Sequence, residues 1–191
     1  MQRRTFLFVN AGALLASIGP LPASASEADD PISVKVDRRG ETVVIDVEVK
    51  IDATVAEVWG VMTDYDRMAD FISTMKSSKV MTRHGNSLEV AQSGETKVAF
   101  MKFKFTGVRG IELLPKSEIR SRLIEGDFKS FQSTTRLVES GEGMKIVHHG
   151  EYVPKSWLPP LIGPAIIEGG TRRHYTEVIA EVRRRKAQAP R

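Results

Sequence analysis

The stretch Val55-Ala-Glu-Val-Trp-Gly-Val-Met-Thr-Asp-Tyr-Asp-Arg-Met-Ala-Asp-Phe-Ile72 holds two short helices back to back. Thr54, just before it, and Glu57, three residues on, make the pattern of a capping box, in which each side chain serves the other residue's backbone N–H. Val55, Val58, Trp59 and Met62 then recur at helical spacing. Thr63-Asp-Tyr-Asp66 breaks this helix and starts another, with Met68, Phe71 and Ile72 as its apolar face. Asp at such a break usually caps the next turn. Asp64, Tyr65 and Asp66 are also placed to orient a carbonyl.

Upstream the language is that of a strand. From Glu41 to Ile51, Val43, Ile45, Val47, Val49 and Ile51 share one face while Asp46, Glu48 and Lys50 share the other. Arg38-Arg39-Gly40 reads as the hairpin turn joining it to residues 33–36. Downstream, strands are expected over residues 77–83, 87–93, 98–113, 118–125, 128–139 and 144–153. The breaks fall at His84-Gly-Asn86, Ser93-Gly-Glu95, Pro115-Lys-Ser117, Gly126-Asp127 and Gly141-Glu-Gly143. Such short, even spacing predicts antiparallel hairpins rather than strand–helix–strand units. A Pro-rich turn at Trp157-Leu-Pro-Pro-Leu-Ile-Gly-Pro164 leads into one long helix over residues 165–187. Ile166, Ile167, Tyr175, Val178, Ile179 and Val182 form its apolar stripe. Gly169-Gly170 within it predicts a kink or a close approach, since each Gly costs about 1 kcal/mol relative to Ala.

At 191 residues, with 41% hydrophobic and 27% charged residues, the chain has the size and composition of one globular domain. It has no cysteine, which excludes disulfides, thiolate metal sites and cysteine nucleophiles. The formal charge of +4 is modest, and no basic stripe interleaves with aromatics, so nucleic acid is not an expected partner. Residues 1–25 read as an address. Arg3-Arg4 precede an apolar run from Phe6 to Ile18, and Ala23-Ser24-Ala25 supplies the small-residue cleavage site of a signal peptide. Arg-Arg-x-Phe-Leu fits the twin-arginine type. The expected product is a periplasmic protein cleaved near Ala25, with residues 26–191 as a single domain.

The order strand, two short helices, six strands, long helix resembles the START-like (SRPBCC) superfamily. Within it the chain is most similar to the polyketide cyclase/dehydrase and coenzyme Q-binding family. The resemblance is carried by the quoted stretch, by Ile124-Glu-Gly-Asp-Phe128 followed by Leu137, by Trp157, and by a terminal helix ending in Arg/Lys. It implies an α+β helix-grip fold: a curved seven-stranded antiparallel sheet holding the C-terminal helix, with a cavity for lipids, quinones or polyketides between them. It says little about chemistry, because these motifs are structural.

Packing supports a cavity independently, since one helix cannot fill the concave face of so wide a sheet. Its expected walls are Trp59, Phe71, Met101, Phe103, Phe105, Phe131, Trp157, Ile166 and Tyr175, although any one of them also suits plain core packing. No residue is assigned to catalysis and no cofactor is expected. His148 and His149 are adjacent in a strand and point to opposite faces, so they cannot share a metal, and at most one reaches a pocket as a proton carrier. No His/Asp/Glu group has the spacing of a metal site. The expected function is binding and carriage of a hydrophobic small molecule, with cyclase/dehydrase activity in the same cavity as the alternative. Transient contact with a membrane surface is expected through Arg183-Arg-Arg-Lys186 or the Pro-rich turn, although basic residues at a helix C-terminus also simply complement its dipole.

Overall fold

The computed structural model describes residues 31–98, 101–141, 143–155 and 163–189. Its strands are β1 (Ile32–Arg39), β2 (Thr42–Ile51), β3 (Met75–His84), β4 (Ser87–Val98), β5 (Met101–Leu114), β6 (Glu118–Gly126), β7 (Phe128–Ser140) and β8 (Gly143–Pro154). They form one antiparallel sheet in the order β1-β2-β8-β7-β6-β5-β4-β3. Between β2 and β3 lie α1 (Val55–Met62), a 3-10 turn (Tyr65–Arg67) and α2 (Met68–Phe71), and α3 (Gly163–Gln188) ends the chain. This is the helix-grip architecture, with eight strands instead of seven. The extra strand is the first arm of the N-terminal hairpin, which pairs with β2 along its whole length.

The capping box forms as expected. Glu57 N–H donates to Thr54 Oγ1 at 3.3 Å, and Thr54 N–H donates to Glu57 Oε2 at 2.7 Å. The motif that follows fastens neighbouring elements. Val80 N–H donates to Asp66 Oδ1 at 2.9 Å, which holds β3 to the 3-10 turn. Arg185 donates to Asp64 Oδ2 at 2.8 Å, tying the far end of α3 to the same turn. Arg185 and Arg184 both donate to Glu181, which is only 5% exposed. Arg185 therefore closes a clamp from α3 onto the turn after α1, Arg184 braces Glu181 from within α3, and Lys186 donates to the Asp52 carbonyl at 3.1 Å.

Period-two alternation sets the two faces of the sheet. Val47, Val49 and Ile51 face inward with Leu88, Val90, Ile111, Leu113, Ile119, Leu137, Met144 and Ile146, and together with Val58, Val61, Tyr175, Val178, Ile179 and Val182 they form the core. β-Bulges interrupt β3, the β5–β6 pair at Val108/Arg109, and β7 near its start. Each adds local twist and bend, which makes the sheet concave towards α3.

Two turn expectations are corrected. Ser93-Gly94-Glu95 is not a break, and β4 continues through it to Val98. A side chain at Gly94 would collide with the Phe105 ring and with the Thr74 carbonyl, so glycine is there for a close approach within a strand. In α3 the helix runs unbroken through Gly169 and Gly170, and a Cβ at either would meet nothing within 4 Å.

Candidate functional site

On the inner face each strand changes character along its length. Towards the end where β4 finishes and β7 begins, aliphatic side chains give way to rings and polar groups. There a pocket of about 240 Å³ is lined by Gln92, Phe105, Thr106, Gly107, Arg109, Leu123, Phe128 and Phe131. Glycines let the strands approach closely at its rim. A Cβ on Gly107 would sit 2.9 Å from the Glu125 carbonyl, and one on Gly126, at φ 141°, would sit 2.6 Å from Gly107 Cα. Asp127 locks the same corner, with Thr106 N–H donating to its Oδ2 at 2.7 Å. The aromatic wall is continuous: Phe128 and Phe131 have centroids 6.2 Å apart, and Phe128 meets Tyr152 edge-on at 5.2 Å.

Arg109 is the charged group of this pocket. Its guanidinium lies 5.5 Å from the Phe131 centroid. It donates to Gln92 Oε1. Gln92 is fixed in turn by its amide, which donates to Ser78 Oγ at 2.9 Å. Burial lowers the Arg109 pKa from its ordinary value, opposed only by Tyr65.

Next to it are two histidines that burial keeps neutral. His148 faces inward opposite Val47 and Thr135, and desolvation lowers its pKa to about 4. Its Nδ1 shares a 2.8 Å hydrogen bond with Thr135 Oγ1. A Cβ on Gly150 would lie 2.9 Å from its Nε2, so glycine there leaves space for that edge of the ring. His174 on α3 is likewise lowered to about 4, first by burial and then by Arg109. Tyr175 bridges them, with ring centroids 6.1 Å from His148 and 5.3 Å from His174.

Of the expected wall residues, Phe105 and Phe131 line the pocket. Tyr175 is buried behind it against the histidines. Ile166 is half-buried on the first part of α3. Trp59 and Phe71 lie elsewhere, packed against the core on the helical side, with Arg185 over the Phe71 ring at 5.6 Å. Met101 and Phe103 stand at the start of β5, opposite Val98 and Thr96, and their side chains lie outside the described residues, as does Trp157. Missing from that list are Arg109, Gln92, Leu123 and Phe128. Arg109 had a signal: it shares strand parity with Phe103, Phe105, Ile111 and Leu113, a cation in an apolar row.

His149 faces the other way and pairs with Asp46 at 2.7 Å. It belongs to a larger groove of about 640 Å³ on the outer face of the sheet. That groove is open and largely lined by polar and charged side chains, among them Arg120, which pairs with Glu112. Its chemistry suits water rather than an apolar guest.

Known proteins agree with this architecture. Among solved structures, the STAR-related lipid transfer protein of Xanthomonas axonopodis superposes with a TM-score of 0.68 at 12% identity, over 83% of this chain and 97% of that one. A START superfamily protein of Mycobacterium smegmatis gives 0.62 at 12%, over 74% and 97%. The ZhuI aromatase/cyclase of Streptomyces sp. R1128 gives 0.58 at 16%, over 74% and 91%. At such identities the likeness is one of fold. No curated protein matches the sequence. The profile described as polyketide cyclase/dehydrase and lipid transport matches residues 51–178, from the last residue of β2 to the middle of α3. With that span inside the profile and the helix-grip fold around it, the chain belongs to the polyketide cyclase/dehydrase and lipid transport family.

Proposed function

We propose that this protein is exported to the periplasm and there binds and carries a hydrophobic small molecule, such as a lipid, a quinone or an aromatic polyketide-like compound. The observation that carries the proposal is the ring-lined pocket at one end of the sheet, apolar with few polar groups, which is the composition of a small-molecule site. Family membership supports a ligand of this class. The leader supports export: Arg3-Arg4, the apolar run and Ala23-Ser24-Ala25. Collection of the ligand at a membrane surface, through segment 157–162, is part of the same proposal.

The test is native mass spectrometry of protein purified from its own periplasm, followed by organic extraction. A mature mass beginning near Ser26 together with a retained hydrophobic compound is the expected result. A chain that keeps its leader, or one that arrives empty and takes up no apolar compound, would overturn it.

One observation favours a second reading, a cyclase/dehydrase. His148 is a neutral imidazole on the pocket side of the sheet, with one nitrogen held by Thr135 and the other free to exchange a proton. Export argues against it, because carrier-bound polyketide substrates are cytoplasmic. Turnover of an aromatic polyketide substrate that is lost in His148→Ala would favour this reading.

A further inference from the structure

Among the described residues Arg109 has no counter-charge. Its position on the inner face of β5 follows from the register: it stands opposite Val90 on β4 and Leu123 on β6. The side-chain groups around it are Gln92, the Phe131 ring, Tyr65, His148 and His174. None is an acid, and among the described residues no carboxylate pairs with it. A guanidinium carries five N–H donors and no acceptor. One donor goes to Gln92, and the stacking on Phe131 occupies only the flat face of the group. Among the described residues the remaining donors have no acceptor, and Arg109 lines the pocket.

Such an arrangement is unfavourable for the empty protein. Buried charges are normally paired, because desolvation of an isolated ion is not repaid by packing. Elsewhere the chain follows the rule: Glu181, its most buried carboxylate, is held by Arg184 and Arg185, and Arg185 by Asp64 as well. Ser121 is the second polar group of this face left unsatisfied. It is 8% exposed, sits one strand over opposite Ile111, and its hydroxyl has no partner among the described residues.

We infer that the ligand itself supplies the missing charge: it is an apolar molecule bearing one anionic group, a carboxylate, which pairs with the Arg109 guanidinium while the tail lies against Phe105, Phe128 and Phe131. This rests on the carrier reading above and narrows its ligand class to acids. A carboxylate matches the planar fork of the guanidinium two oxygens to two N–H groups, and such charge-assisted pairs are the strong hydrogen bonds of protein interiors. Gln92, braced by Ser78, holds the fork in place before the ligand arrives.

The experiment compares acids with their uncharged esters on the mature protein by calorimetric titration. The probes are decanoate against methyl decanoate, and 2-naphthoate against methyl 2-naphthoate, which separate an aliphatic from an aromatic tail. At least one acid is expected to bind about tenfold or more tightly than its ester. Arg109→Gln is expected to bring that acid to the ester's affinity and to leave the ester unchanged, and Arg109→Lys to fall between. The empty Arg109→Gln protein is expected to melt no lower than the wild type, since it loses a half-buried charge that no described acid balances. Equal binding of acid and ester by the wild type, which needs no variant, overturns the inference while leaving the pocket in place. So does an Arg109→Gln protein that weakens both alike. If none of the four probes binds, the carrier reading falls as well.

Discussion

At the end of the sheet where β2 finishes and β8 begins, Ile51, Met144, Leu137, Ile119 and Leu113 form one buried cluster with Val58, Val61 and Val182. At the other end of the same strands Phe105, Phe128 and Phe131 surround open volume, with Arg109 inside it. α3 covers both and reflects the difference. Its buried residues past the first turn, Tyr175, Val178, Ile179, Glu181 and Val182, lie from its middle onward, while a Cβ at Gly169 or Gly170 in its first half would meet nothing within 4 Å. One end therefore holds the fold together and the other is left for a guest. The division also explains where polar chemistry is tolerated. The closed end has its charges at the periphery in a paired clamp, whereas the open end carries a cation, with no described carboxylate paired to it, and neutral histidines.

The largest expected effect is at the closed end. Ile146 is fully buried, and Ile146→Ala should lower unfolding stability by about 2–5 kcal/mol in chemical denaturation, through lost transfer energy and an unfilled cavity. A loss below about 1 kcal/mol would mean that this end is as loose as the other, and the contrast would fail.

Next is the clamp. Hydrogen bonds, first from Arg184, hold the Glu181 carboxyl down at about 2, below its ordinary 4.5. A carboxylate whose pKa falls on folding stabilises fully above the ordinary value, and its contribution drains away as pH drops towards about 2. Glu181→Gln should therefore cost about 1.5–3 kcal/mol at neutral pH. It should also flatten the acid limb of a stability–pH curve between about 4.5 and 2. A variant with the wild-type acid limb would detach Glu181 from the clamp.

At the open end the same kind of truncation should matter less to folding. Phe131→Ala removes a half-buried wall that already borders a void, so its stability loss should stay below about 1.5 kcal/mol, against about 3–5 for a packed Phe. Its effect should appear instead as loss of retained ligand in native mass spectra. The smallest effect sharpens the contrast from the helix side: Gly170→Ala should stabilise the protein by about 0.5–1 kcal/mol, because a methyl there meets open space and reduces the freedom of the unfolded chain. A destabilising Gly170→Ala would mean that the roof of the open end is closer than it stands.

Much of this was legible beforehand. The capping box, the alternating strands and the terminal helix are legible from spacing alone, and the helix-grip fold follows from the resemblance of their order to the START-like superfamily. The resemblance implies seven strands, one too few, because the hairpin arm at residues 33–36 pairs along the whole of β2 and becomes a strand of the sheet. Gly94 was read as punctuation when it is clearance for Phe105, a contact made by pairing with β5 that local sequence does not display. In the pocket, Phe105 and Phe131 were visible as apolar residues on strand faces. Trp59 and Phe71 look the same in sequence yet sit on the core's helical side, because apolar character does not say which cavity a residue faces.

The sequence by itself determined which side of each strand faces inward and where each helix starts. Those properties follow from a two-residue period and from hydrogen bonds only a few residues apart. Only the tertiary structure decided which end of the grip is filled and which stays open. It also decided that Asp64 meets Arg185 while Arg109 meets no acid among the described residues. Those outcomes depend on distances between strands and helices far apart in the chain, and on volumes that no short stretch of residues encodes.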